Sequence, residues 1–316
     1  MQTMRYSMRG NWYRGNTHLH TRLSDGGLTP KKVAEQYGQA GYDFMFYTDH
    51  WVASNVRQSD SSMPLLFNGV EIDGRDEDGS HYHMVGLGDF TDIQQESGLC
   101  TALKQIEDQG GILVLAHPAW MGNSVADSLK YSFQAVEVYN HVCRSLNGKG
   151  DSTYVWDAML ESRPGTLALS VDDAHITAKY PSWAGGWIMV NSEERTHAAI
   201  WQGIREGNYY STNGPRFQSI VVESEEAATA DRGDADRGAP ADTVSETTVR
   251  ERTVQVHTSP VHFIRLVGPR YSGYSLGEYG GFIDRASLKI PSDWAYARIE
   301  IEGPAGLRAW TNSLFV

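Results

Sequence analysis

The chain's 316 residues, 40% hydrophobic and 11% aromatic, suffice for a substantial core in one large domain or two. A net charge of -12 gives no basic face for a nucleic-acid backbone, and no run approaches the roughly eighteen apolar residues of a membrane span. Only Cys100 and Cys143 are present, without a C-x-x-C spacing; that excludes a disulfide scaffold or Cys-rich zinc module and, with no apolar leader in MQTMRYSMRG, points to the cytoplasm.

Residues 14–26, RGNTHLHTRLSDG, place His18 and His20 two apart at the end of an extended run, so both imidazoles face one side and can reach one cation. Asp25 adds a carboxylate from the glycine-bounded turn that follows. Thr29-Pro30 then caps a helix with Val33, Ala34, Tyr37 and Ala40 on one stripe and Gly41 as its stop. The strand at 44–47 leads into Thr48, Asp49 and His50, and the apolar run 63–70 leads into Glu71. A polar turn at 74–80 precedes His81, Tyr82 and His83; a helical pattern at 99–109 ends at Gly110-Gly111; the strand at 112–116 runs into His117-Pro118. The alternating 135–139 (AVEVY) precedes Asn140 and His141, a helix is read at 154–161, and 166–170 leads into Asp172, Asp173 and His175. A strand at 186–190 and a helix from about 192 to 207 complete the series. Short apolar runs alternating with helices predict a mostly parallel sheet. Ligands at the C-terminal ends of those runs select a β/α barrel, whose strand ends open on one face, over an open sheet.

After Pro215 the pattern changes to alternating segments at 217–223, 248–257, 262–267, 297–302 and 307–316, which predicts a small antiparallel all-β module over 216–316 following a first domain at 1–215. Residues 224–246 are rich in Ala, Asp, Glu, Gly and Thr, and read as a flexible acidic loop between strands.

The candidate ligands are His18, His20, Asp25, His50, Glu71, His83, His117, Asp173 and His175. They exceed what one ion takes, so two or three divalent ions sharing carboxylates are expected, with Glu71 as the natural bridge. Imidazole nitrogen selects zinc, manganese or iron over calcium or magnesium. Paired ions of this kind generate a metal-bridged hydroxide and stabilise an in-line displacement, which is hydrolytic chemistry. No glycine-rich dinucleotide fingerprint and no Walker sequence supports redox or nucleotide-driven work.

The series THLH, SDGG, YTDH, GVE, AHP and DDAH, between Asn11 and about Pro215, resembles the PHP (polymerase and histidinol phosphatase) superfamily of metal-dependent phosphoesterases. WYRGNTHLHT, VEVYN, GNYYSTNGP and RAWTNSLFV are similar to its CehA/McbA-type branch. The resemblance implies a distorted (β/α)7 TIM-like barrel with a di- or trinuclear centre. His18, His20, Glu71 and Asp173 would hold one ion, with Asp25 in support; Glu71, His83 and His117 a second; Asp25, His50 and His175 a third. Asp25, His50 and His175 are the residues taken as catalytic, His175 or a metal-bound water protonating the leaving group.

Around this set, His81 competes with His83 by two-residue spacing, Asp172 points to the face opposite Asp173, and Asp49 is expected to orient His50 or its neighbours. Asn140 and His141 read either as substrate contacts or as loop hydrogen bonders. Arg14, Arg22, Arg57 and Arg144 are candidates to grip a phosphate. Trp51, Trp120 and Trp183 read as pocket walls or core, and His197, His257 and His262 as structural. The reading is a hydrolase that cleaves small phosphate mono- or diesters of an anionic substrate, with no nucleic-acid or membrane partner. A carbamate, ester or amide hydrolase with the same centre is the enzymatic alternative if the pocket is apolar and lacks a phosphate clamp; a binding module with structural metal is the non-enzymatic one.

Overall fold

A computed structural model describes residues 4–56, 63–226 and 250–315. Over the first two thirds of the chain, strands and helices alternate: β1 Asn11–Asn16, α1 Pro30–Gln39, β2 Phe44–Tyr47, β3 Leu65–Arg75, β4 His81–Leu87, α2 Leu99–Asp108, β5 Ile112–Leu115, α3 Pro118–Met121, α4 Val125–Lys130, β6 Ala135–Asn140, α5 His141–Asn147, α6 Thr153–Ser162, β7 Leu167–Val171, β8 Trp187–Ser192, α7 His197–Glu206 and β9 Tyr209–Thr212. The remainder is β10 Phe217–Glu226, β11 Arg250–Val261, β12 Phe263–Val267, β13 Gly273–Gly277, β14 Ile283–Ile290, β15 Arg298–Glu302 and β16 Arg308–Thr311.

The helices form where apolar side chains recur on one face. In α1, Thr29 caps the N-terminus by accepting from the Lys32 N–H, Pro30 occupies the first turn, and Val33, Ala34 and Tyr37 are buried. In α2 the buried stripe is Leu99, Ala102, Leu103 and Ile106. The strands they cover, β2, β5 and β7, are buried at every position, so these short runs carry no alternation.

The fold is mixed α/β, with a thirteen-stranded sheet in the order β13-β12-β15-β16-β9-β8-β1-β2-β3-β4-β5-β6-β7 and a separate antiparallel sheet β10-β11-β14. The expectation of a mostly parallel, closed barrel is corrected on two points. First, parallel pairing is confined to β1-β2-β3 and β5-β6-β7, while β3-β4-β5 and β1-β8-β9 are antiparallel. The turn at 76–80 between β3 and β4 is too short for the dozen or so residues of a parallel crossover, and no helix separates β7 from β8. Second, β7 ends the strand order, so among the described residues the ladder does not close. Just beyond β1 and β7 a single parallel bridge, Leu19 with Ala174, joins the two chain segments; the His20 N–H donates to the Ala174 carbonyl and the Asp173 N–H to the His18 carbonyl, both at 2.9 Å.

The segments 1–215 and 216–316 share the large sheet, because β16 pairs with β9 through Ala309–Thr212, Trp310–Ser211 and Thr311–Tyr210. Buried Arg298 in β15 crosses to α6, its Nε and Nη2 each donating to Asp157 at 2.9 Å. Of the stretch expected as an acidic loop, 224–226 continue β10, and 227–246 lie outside the described residues. No helix among the described residues is long and apolar enough to cross a membrane.

Candidate metal centre

The centre is assembled from residues just past the ends of β1, β2, β5 and β7, together with Glu71 on β3 and His83 on β4. Beyond β1 the chain alternates: Leu19 packs outward among Val33, Tyr37 and Met45, while His18 and His20, both fully buried, face inward. The turn carrying Asp25 is held by Asp49, which accepts from the Thr21 N–H (2.7 Å), the Thr21 hydroxyl (2.8 Å) and the Ser24 hydroxyl (2.7 Å). Asp49 therefore fixes this turn, and its oxygens bond Thr21 and Ser24 rather than His50. The glycine of the turn answers to close approach: a Cβ on Gly27 would fall 2.3 Å from the Ile176 carbonyl oxygen. That packing brings Asp25 Oδ2 to 3.1 Å from His175 Nε2.

Glu71, on β3 and 1% exposed, is the hub. Its Oε2 lies 3.1 Å from His18 Nε2, 3.1 Å from His20 Nε2 and 3.3 Å from His50 Nε2. Its Oε1 lies 2.8 Å from His83 Nδ1 and 3.4 Å from His117 Nε2. Asp173 Oδ1 lies 3.1 Å from His20 Nε2 and 3.4 Å from His18 Nε2, and its Oδ2 lies 3.8 Å from His117 Nε2. The two imidazole nitrogens His18 Nε2 and His20 Nε2 are themselves 3.1 Å apart.

These separations test the fit to a metal. Bonds of about 2.0–2.2 Å to nitrogen or oxygen put neighbouring ligand atoms roughly 3.0–3.5 Å apart in tetrahedral or octahedral geometry. The set around His18, His20, Glu71 and Asp173 has that spacing, and all four are buried. His20 Nδ1 and His117 Nδ1 are buried with no hydrogen-bond partner. The residues fit divalent ions. Three further groupings share members with the first: His50, Glu71 and His83; His18, His117 and Glu137; and the more open His20, Asp25, His50 and His175. All nine candidate ligands thus converge on one region, with Glu71 touching five imidazoles.

Burial alone would lower the pKa of His18, but the charges of Asp173, Glu71 and Glu137 carry it well above the ordinary histidine value. Burial likewise opposes protonation of His20, yet hydrogen bonds to Asp173 and Glu71 raise it to about 9. The converse holds for Glu71 and Asp173: burial pushes them up, and the surrounding histidines, His18 foremost, hold both below the usual carboxylate range. The buried carboxylates thus favour the protonated forms of His18 and His20.

Two carboxylates escaped the sequence reading. Glu137, within β6 and 1% exposed, lies 2.5 Å from His18 Nδ1 and accepts from the His117 N–H (2.8 Å) and Asn140 Nδ2 (2.9 Å). An acceptor there keeps the proton on Nδ1 and the Nε2 lone pair toward Glu71. Asp73, two residues beyond Glu71 on the same face of β3, lies 3.3 Å from His50 Nδ1 and accepts from Trp51 Nε1 at 2.9 Å. The available signal for Glu137 was a charge inside a strand buried at all six positions.

The other candidates sort by contact. Asn140 caps α5 and donates to both Glu137 and Asp173. His141 Nδ1 lies 3.3 Å from the Tyr139 hydroxyl. Asp172 faces away, accepting from Asn16, the Tyr37 hydroxyl and the N–H groups of Ala184, Gly185 and Gly186. His83 reaches Glu71, whereas exposed His81 groups with Asp73 and His83 at the margin. Arg14 is sandwiched between Tyr42 and Trp187, Arg22 Nε donates to the Gly27 carbonyl, and Arg57 lies outside the described residues. Trp120 sets its edge against His83 and His117, while Trp183 packs on Tyr37. His197 and His262 bond elsewhere, to the Leu66 and Gly281 carbonyls, and His257 Nε2 lies 3.9 Å from Asp284. A cavity of about 560 Å³, counting its open mouth, lies over the centre.

No protein-family model matches the chain, and no curated protein matches it. Several solved structures are similar to it. A two-domain protein from Bacteroides vulgatus containing a predicted PHP-like metal-dependent phosphoesterase is 14% identical, with a TM-score of 0.48 over 96% of this chain and 95% of that one. A protein from Bifidobacterium adolescentis described as a metal-dependent phosphoesterase is 15% identical, TM-score 0.39, over 61% and 94%. An amidohydrolase from Chromobacterium violaceum, with bound sulfate and no metal, is 17% identical, TM-score 0.42, over 62% and 96%.

Proposed function

We propose that this chain is a metal-dependent hydrolase of the PHP type, cleaving small phosphate mono- or diesters. The observation that carries the reading is Glu71: one buried carboxylate within 3.4 Å of five imidazoles, at the spacing of atoms that share metal ions. The reading includes two or three ions of zinc, manganese or iron, a small anionic substrate and a cytoplasmic setting. Bound ions of this class supply an activated water at neutral pH and polarise the bond under attack.

The chain's own residues divide the remaining work. His18, His20, Glu71 and Asp173 would hold one ion and Glu71, His83 and His117 another, and Glu137 keeps His18 in the ligating tautomer. His175 Nδ1 faces the Asp173 carbonyl at 2.9 Å, an acceptor only, so that nitrogen carries a hydrogen. Its Nε2, 3.1 Å from Asp25 at the open rim, is the atom placed to serve the leaving oxygen as general acid.

A carbamate, ester or amide substrate is the second reading, because no Lys or Arg lines the cavity among the described residues. The test is elemental analysis followed by turnover of p-nitrophenyl phosphate, bis-p-nitrophenyl phosphate and 1-naphthyl carbamate with added manganese or zinc, with and without chelator. Chelator-sensitive hydrolysis of the phosphate esters supports the first reading, and hydrolysis of the carbamate alone the second. Tightly held metal with no turnover would sink both in favour of a binding module.

A further inference from the structure

The floor of the cavity is histidine and carboxylate, but one side of its wall is apolar. Val142 and Leu146 lie four residues apart on α5 and both line it, with Cys143 between them. Leu146 is 45% exposed, a large apolar side chain left open where it borders the cavity. Trp120 also lines the cavity, in T-shaped contact with His117 at 5.3 Å and His83 at 6.0 Å, and Tyr180 lies 5.6 Å from His175. On α5, Arg144 is two residues, about 200° of helix turn, from Val142, so it points away. Arg14 and Arg22 are engaged elsewhere, leaving no fixed cation to grip a phosphate in the described wall.

We propose that the substrate carries an apolar group, aromatic or branched, that packs against Trp120, Val142 and Leu146, and that these residues set specificity. Its charged or polarised end would be met by the ions that Glu71 and the surrounding histidines would hold. The proposal rests on the hydrolase reading for the second half of that statement. It is physically economical: a wall without cations leaves selection to shape and apolar burial, and a missing group in such a pocket changes discrimination by roughly 10- to 200-fold.

The experiment is calorimetric binding of phenylphosphonate and methylphosphonate to the zinc-loaded protein, beside Leu146→Ser and Trp120→Ala, with zinc content and thermal midpoint measured for each. Phenylphosphonate should bind at least about tenfold tighter than methylphosphonate, and each substitution should shrink that ratio about threefold or more without loss of zinc. As a control, Tyr271→Ser, at a side chain 96% exposed and outside the cavity, should keep the ratio. Equal binding of the two probes, binding of neither, or a ratio unmoved by both substitutions overturns the proposal. A phenyl preference without turnover of any ester would sink the hydrolase reading and leave the apolar wall standing; turnover without preference would do the reverse.

Discussion

Glu137→Gln tests whether the centre depends on an acceptor behind His18. Three donors converge on this carboxylate: His18 Nδ1 at one oxygen, and the His117 N–H and Asn140 Nδ2 at the other. Glutamine has the same shape but one acceptor oxygen. If that oxygen faces His18, the new NH2 meets the His117 and Asn140 donors. If it faces them, the NH2 drives the proton of His18 from Nδ1 to Nε2, the atom that must stay bare to ligate. Either way a charge-assisted bond of about 1.5–3 kcal/mol is lost and a buried donor stays unpaired at about 1–3 kcal/mol, so a net loss of about 2–4 kcal/mol is expected after partial relaxation. Metal affinity should fall about 10- to 100-fold. Competition against a chromogenic chelator reads the affinity, and thermal unfolding of the metal-free form reads the stability. Affinity within about threefold of the parent would mean that Glu137 fills space, and the tautomer argument would be wrong.

Glu71→Gln removes the shared charge from five imidazoles, and elemental analysis should find the protein without its full metal complement, with hydrolysis lost by about 1,000-fold or more; retained stoichiometry would refute the bridging role. In chelator-treated protein the folded pKa values of His18 and His20 exceed the ordinary 6.5, that of His20 reaching about 9. Their stabilisation is therefore complete below pH 6.5 and lost as the pH rises toward 9, and the thermal midpoint should fall across that window. Metal affinity should move the opposite way, rising with pH as the ligands deprotonate, and a flat metal-free profile would contradict the assignment. Arg298→Ala strands Asp157 and Glu300 and opens space under Trp156, so it should cost about 3–5 kcal/mol in chemical denaturation; a change under 1 kcal/mol would show the β15 to α6 contact to be incidental.

The ligands were legible because they stand where apolar runs stop, and a run that stops at a histidine or acid has a reason to stop there. His50, Glu71, His117 and Asp173 were each found this way. Glu137 was not, since a glutamate inside AVEVY has no spacing relation to THLH; only strand packing brings it to 2.5 Å from His18. Sheet direction was illegible for a similar reason. Nothing in residues 187–192 distinguishes a strand that continues a parallel series from one that turns back onto β1. β13 and β14 were missed because β13 is exposed at all five positions and so lacks the apolar pattern that marks a strand.

The backbone shows how the fold concentrates these side chains. His117 has φ 28°, Asp173 φ 55° and Trp51, next to His50, φ 54°, left-handed values that a residue with a Cβ adopts at a cost of about 1–2 kcal/mol. Each falls where a buried run must end at once and turn its next side chain inward. At 117 and 173 a glycine would take the turn without strain but would carry no ligand, so there the ligand itself has to sit in the costly conformation. Packing on either side supplies the restraint: His117 is held by its N–H bond to Glu137, and Asp173 by its N–H bond to the His18 carbonyl. The same two contacts that tolerate the strain also fix the ligands relative to one another, so loosening either should widen the centre before it unfolds the sheet.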